Sequence, residues 1–195
     1  MKRIIDKMRR SVYFNIPNLL GYFRILLLPL FLFLYTHAES VGDYVIAFFV
    51  LALSYLSDLV DGKIARKLDM VSDFGKALDP VADKLTQAAL ALVITWRYPA
   101  MLYFLMLFLI KEIYMVVMGL LLIRRKKVVM GAQSYGKLST AINDIGCFIL
   151  LLFPHLSYFI GTLLIVVMMI VMVISWIKYI RFHVLLWKGE KRDED

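Results

Sequence analysis

Runs of about twenty mostly apolar residues follow one another along nearly the whole chain, each long enough to cross roughly 30 Å of hydrocarbon. That pattern leaves the bilayer as the natural solvent and helices as the natural elements. The runs at 17–36, 42–60, 77–96, 99–123, 135–153 and 157–181 predict six transmembrane helices, so the expected fold class is an all-α integral membrane protein. With 62% of the 195 residues hydrophobic, no stretch remains for a second domain. One membrane domain over 1–195 is expected: a juxtamembrane amphipathic helix at 1–14, a six-helix bundle at 17–181 and a tail at 182–195.

The net charge of +8 is distributed in a way that sets orientation. Joints at 37–42, 97–99 and 154–157 are short, and only Arg97 among them is basic. The other connections carry Lys63, Arg66, Lys67 and Lys76, then Arg124, Arg125, Lys126, Lys127 and Lys137, and finally Lys178, Arg181, Lys188, Lys191 and Arg192. The excess of cations on cytoplasmic loops predicts an inner-membrane protein with both termini and these longer loops in the cytoplasm. Nucleic acid is not an expected partner, because a reader of it needs a basic face on a soluble fold. Residues 1–12 alternate Lys2, Arg3, Lys7, Arg9 and Arg10 with Ile4, Ile5, Met8 and Val12, the pattern of a helix lying on an anionic leaflet and not of a cleavable signal peptide. Cys147 is the only cysteine and stands in an apolar run, which suits packing.

Against this background four acidic residues are out of place. An ionisable group within a span costs on the order of 2.5–3.5 kcal/mol at the helix centre, so each one marks a functional site by default. Asp58 and Asp61 end the second run and Asp79 and Asp83 open the third, with a loop expected at 62–78 on the cytoplasmic side. Residues three or four apart share a helix face, so each pair can point one way. If the two helices are antiparallel neighbours, the four carboxylates can converge, and they then need cations between them or protons on some of them. Oxygen-only ligation favours Mg²⁺, Mn²⁺ or Ca²⁺ over zinc, and a cluster of this size holds two ions. Gly62, Ala65 and Gly75 let a ligand approach the backbone closely, and Arg66 suits a phosphate, so a diphosphate substrate is expected.

The stretch Ser57-Asp58-Leu59-Val60-Asp61-Gly62-Lys63-Ile64-Ala65-Arg66, continued by Gly75, Asp79 and Asp83, resembles the signature D-x2-D-G-x2-A-R-x8-G-x3-D-x3-D of the CDP-alcohol phosphotransferases, with every fixed position present. The resemblance implies a metal-dependent membrane enzyme holding two Mg²⁺ or Mn²⁺ ions. It implies transfer of a phosphatidyl group from CDP-diacylglycerol to an alcohol acceptor with release of CMP, and a homodimer, as is common among relatives. By position it implies Asp58, Asp61, Asp79 and Asp83 as metal ligands, Asp83 doubling as general base. Asp58, Gly62, Ala65, Arg66 and Gly75, together with Asn18, are similar to the CDP-binding positions.

Two further segments, Asn15-Ile16-Pro17-Asn18-Leu19-Leu20 followed by Arg24, and 74–84, are most similar to the phosphatidylglycerophosphate synthase and membrane-embedded cardiolipin synthase branch. The implied acceptor is glycerol 3-phosphate, with phosphatidylglycerol as the alternative. The chain departs from that branch at Gly21, Lys111 and Ser139, which stand where Thr or Ser, Arg and a second Lys are usual. Cationic partners for a phosphorylated acceptor remain in Lys111, Lys137, Arg124 and Arg125. Lys111 and Glu112 interrupt an apolar run, which points to a role at the site or a mutual pair. His37 and His155 fall in external joints and His183 in the tail, so histidine-based chemistry is not expected. Trp96, Tyr98, Phe153, Tyr158 and Trp187 sit at span ends like an interfacial belt, and the Met-rich run 166–173 reads as lipid-facing or packing surface. Rival classes are an ion transporter and a membrane scaffold. The carboxylates bunch at one edge without a visible inverted repeat, and a scaffold has no use for the whole motif.

Overall fold

The computed structural model describes residues 15–68, 73–126, 133–153 and 156–188, and within them all regular structure is α-helix. The helices are α1 (Ile16–Thr36), α2 (Val41–Leu68), α3 (Asp73–Thr95), α4 (Ala100–Lys126), α5 (Ser134–Leu152) and α6 (Tyr158–Lys188). All six predicted runs are therefore helical, while the amphipathic helix expected at 1–14 and the end of the tail lie outside the described residues. Among the described residues three stretches qualify by length and apolarity as membrane spans, Asn18–Thr36, Ala100–Arg125 and Tyr158–Trp187, and Val41–Ser57 within α2 is a shorter apolar stretch.

Several helix boundaries differ from the sequence expectation. The loop expected at 62–78 is mostly helix, because α2 runs on to Leu68 and α3 begins at Asp73. Lys63, Ile64, Ala65, Arg66, Lys67 and Leu68 contain no breaker, and the one glycine before them costs only about 1 kcal/mol against alanine. Hydropathy ends a span where charges begin; the hydrogen-bonded backbone does not. For the same reason α6 continues past residue 181 to Lys188, and His183, expected in the tail, is helical.

The chain divides into two compact units, residues 1–93 and 94–195. In the first, α1 starts on an Asn15 cap whose side chain accepts the Asn18 N–H at 2.8 Å, with a proline in the first turn. After a four-residue joint α2 starts on a reciprocal cap. The Asp43 carboxylate accepts the Ser40 N–H at 2.8 Å, and the Ser40 hydroxyl oxygen accepts the Asp43 N–H at 3.3 Å. The two helices then pack along their length, burying Leu27, Leu28 and Phe31 with Ala47 and Leu51, and Tyr35 meets Tyr44 edge-on at 5.1 Å. The start of α3 lies against α1 through Tyr22 and Phe74, whose ring centroids are 6.3 Å apart, and through Leu78, which covers Gly21.

In the second unit α6 packs against both α4 and α5. Its buried residues, Gly161, Ile165, Met168, Met172, Ser175, Tyr179 and His183, recur at three- or four-residue spacing, the seam of a helix inserted between neighbours. The Met-rich run is thus split by the seam: Met168 and Met172 are fully buried while Val166, Val167, Ile170 and Val173 are exposed. Glycines admit close approach on this seam, Gly161 under the ring of Tyr98, Gly146 under Met168 and Gly136 under Tyr179. Tyr98, expected in an interfacial belt, is instead 1% exposed, and its hydroxyl donates to the Leu156 carbonyl at 3.0 Å. Trp96, Phe153, Tyr158 and Trp187 are exposed, as a belt requires.

Candidate active site

The first unit carries all eight motif positions on two helices. Positions 58, 61, 62, 65 and 66 fall on the continuous helix α2, and Gly75, Asp79 and Asp83 on α3. Asp58 and Asp61 are one turn apart on α2, as Asp79 and Asp83 are on α3, so the backbone keeps each pair on one helix face. The side chains of Asp58, Asp61, Gly62, Ala65 and Arg66 lie outside the described residues, and so does the predicted convergence of the four carboxylates. Among the described residues no group of three metal-binding side chains is assembled.

The α3 half is described in detail. Asp79 and Asp83 are both exposed, and Gly75 is partly covered. Pro80 lies between the two aspartates and lacks the N–H that would continue the helical ladder, so α3 is missing one rung at the pair. Two hard oxygen donors one turn apart and open to solvent suit a small divalent cation, and they lack the nitrogen and sulfur that zinc prefers. Asp83 also forms an ion pair that the spacing of the motif did not announce. The Arg24 guanidinium, on α1 and 2% exposed, donates from Nη1 to Asp83 Oδ1 at 3.0 Å. Arg24 was visible in the sequence only as part of a local word, because a contact between residues on different helices leaves no local periodicity. Asn18 is 2% exposed, its backbone N–H held by the Asn15 cap.

The second unit holds the cations assigned to the acceptor, and it separates them. Lys111 is buried in α4 and donates to the adjacent Glu112 at 3.0 Å, so the mutual pair is formed. Arg124 and Arg125 stand at the exposed end of the same helix, and the Arg125 guanidinium covers the Trp187 ring at 5.2 Å. At 1.5 Å rise per residue, Lys111 and Arg124 are roughly 20 Å apart along the axis, too far to grip one small phosphate together. Lys137 is exposed on the first turn of α5. Ser139, where a second lysine is usual, is 1% exposed, so this position faces packing. His183 is fully buried and hydrogen-bonds the Tyr114 hydroxyl through Nδ1 at 3.1 Å. The signal that could have found it is the three-four spacing that carries the α6 seam through Tyr179 to His183.

Comparison with known proteins agrees with the motif. Residues 14–181 match the CDP-alcohol phosphatidyltransferase family. A cardiolipin synthase (CMP-forming) from Streptomyces coelicolor is 39% identical over 106 residues, 53% of this chain and 49% of that one. A CDP-diacylglycerol--glycerol-3-phosphate 3-phosphatidyltransferase from Pseudomonas fluorescens is 44% identical over 80 residues, 41% of this chain and 40% of that one. These two matches thus span half or less of the relatives' length. A protein of the same description from Aquifex aeolicus is 30% identical over 173 residues, 85% of this chain and 93% of that one. A match over 168 consecutive positions, containing every fixed position of the motif, is decisive: the chain belongs to the CDP-alcohol phosphatidyltransferase family.

Proposed function

We propose that this protein transfers a phosphatidyl group from CDP-diacylglycerol to glycerol 3-phosphate, releasing CMP and giving phosphatidylglycerophosphate. The observation that carries the reaction class is the complete motif, with Asp79 and Asp83 on one solvent-reaching turn of α3. Asp58, Asp61, Asp79 and Asp83 would hold two Mg²⁺ or Mn²⁺ ions. Bound there, divalent cations neutralise the diphosphate and make CMP a better leaving group. Gly62, Ala65, Arg66, Gly75 and Asn18 are the proposed nucleotide contacts. Asp83 takes the proton of the acceptor hydroxyl, whose oxygen then bonds to the phosphorus nearer the lipid as the bond from that phosphorus to the CMP oxygen breaks. No covalent enzyme intermediate is required.

The choice of glycerol 3-phosphate rests on the Aquifex aeolicus relative, whose description names it and whose match runs through nearly the whole of both chains. Transfer to phosphatidylglycerol, giving cardiolipin, is the second reading. It is favoured by the Streptomyces coelicolor relative and by the presence of Ser139 where a second lysine is usual in the glycerophosphate enzymes. We further read the family match from 14 to 181 as one domain of six crossings, with both termini and the site on the cytoplasmic face of the inner membrane, working as a homodimer.

Purified protein given CDP-diacylglycerol and Mn²⁺ or Mg²⁺ is expected to release CMP with glycerol 3-phosphate and not with phosphatidylglycerol. EDTA is expected to abolish release, and the metal to restore it. Release with phosphatidylglycerol alone would move the protein to the cardiolipin branch, and no release with any alcohol would sink the enzymatic reading.

A further inference from the structure

We propose that Arg24 is a positioning residue for Asp83, holding Oδ1 of the proton-accepting carboxylate so that Oδ2 is the oxygen presented to the acceptor hydroxyl. The inference rests on the reading of Asp83 as the general base and adds a residue to it. Arg24 is 2% exposed, whereas the Asp83 side chain is 54% exposed. A carboxylate so open to solvent ordinarily samples several rotamers, and an isolated surface ion pair does little to stop it. Here the donor is the immobile partner: a guanidinium sunk in packed helix surface cannot follow a moving carboxylate, so the carboxylate must come to it. A buried cation is also costly unless an opposite charge meets it, which gives Asp83 Oδ1 a fixed place.

The neighbouring contacts make the position repeatable. Tyr22 meets Phe74 at 6.3 Å, and Leu78 fills the space over Gly21 so closely that a methyl group there would lie 2.9 Å from its Cδ2 atom. These contacts and the Arg24–Asp83 pair join a single turn of α1, residues 21–24, to positions 74, 78 and 83 on α3. They seat that turn of α1 against α3, and the ion pair is the contact made at the carboxylate. The Asn15 cap and the proline in the first turn fix the start of α1, and hence where Arg24 falls. The planar fork of arginine holds a carboxylate oxygen in a direction that the rotating ammonium of lysine cannot reproduce.

The test is a cycle of full-length proteins in detergent: wild type, Arg24→Gln, Asp83→Asn, the double variant, and Arg24→Lys. CMP release and thermal midpoints are measured for each. Displacing a reacting group by about 1 Å costs on the order of 100-fold in rate, so Arg24→Gln is expected to lower kcat by about that factor, with the KM for CDP-diacylglycerol little changed. Arg24→Lys is expected to recover part of kcat. In the Asp83→Asn background Arg24→Gln is expected to cost almost nothing more, because residues acting as a unit are not additive. The thermal midpoints are expected to be non-additive in the same cycle. A wild-type kcat in folded Arg24→Gln, a loss confined to KM, or losses that multiply in the double variant would each overturn the proposal. If Arg24→Gln does not fold, Arg24→Lys carries the decision: reduced kcat at unchanged KM supports it, and wild-type kcat overturns it. A wild-type protein that releases no CMP defeats the function itself, a result distinct from any of these.

Discussion

Asp83→Asn is expected to remove turnover while leaving substrate binding in place. A positioned general base contributes roughly 10²–10⁴-fold in rate, so kcat should fall by about that much. The amide keeps the size of the carboxylate and one oxygen for ligation, yet it cannot accept the hydroxyl proton. Asp79→Asn, one turn earlier on the same face, should behave differently if its duty is ligation. It should raise the Mn²⁺ concentration needed for half-maximal CMP release and recover much of its rate at saturating metal. Two variants with the same metal dependence and the same residual rate would dissolve the division of labour between these aspartates.

Replacing Gly161 is expected to damage stability more than replacing Gly146, although both are seam glycines of the second unit. A Cβ at position 161 runs into the ring of Tyr98. That ring is 1% exposed, stacked on Tyr158 at 5.9 Å, overlain by the Arg97 guanidinium at 5.4 Å, and tied by its hydroxyl to the Leu156 carbonyl. Every route out of the clash breaks one of these contacts. Overpacking of this kind costs about 1–3 kcal/mol, and Gly161→Ala should sit at the upper end, visible as a lower thermal midpoint. At position 146 the obstacle is the thioether of Met168, an unbranched chain with several torsions to yield. Gly146→Ala should therefore cost about 1 kcal/mol or less by the same scale. Equal losses at the two positions would show that the aromatic lock around Tyr98 is not the rigid part of the seam.

The six helices could be read from apolar runs because membrane hydropathy reports each element by itself. The start of α1 falls within a residue of expectation, since an Asn cap and a proline stand there. The ends of α2 and α6 were not legible, because charge ends an apolar run without ending a helix, and Lys63 to Leu68 are good helix formers. The placement of the motif was legible in Asp58, Asp61, Asp79 and Asp83, whose spacing puts each pair one turn apart on its helix. What escaped was pairing between helices: Arg24 with Asp83, and His183 with Tyr114. The belt reading of Tyr98 failed on the same ground, since a residue's position at a span end does not say which neighbour covers it.

Helix α2 has two unlike parts. Its apolar run extends over 42–60, broken near its end by Asp58, and the helix continues to Leu68 through mostly charged and small residues. At 1.5 Å per residue the apolar run is about 28 Å long and the remainder, 61–68, about 12 Å. In the proposed orientation the apolar run is close to the roughly 30 Å of an average hydrocarbon core, and the remainder of the helix projects past it. The same continuous helix would then carry the motif from the hydrocarbon edge at Asp58 out to the headgroup level at Arg66, a rigid rod that spans both phases where a lipid-linked diphosphate has to be met.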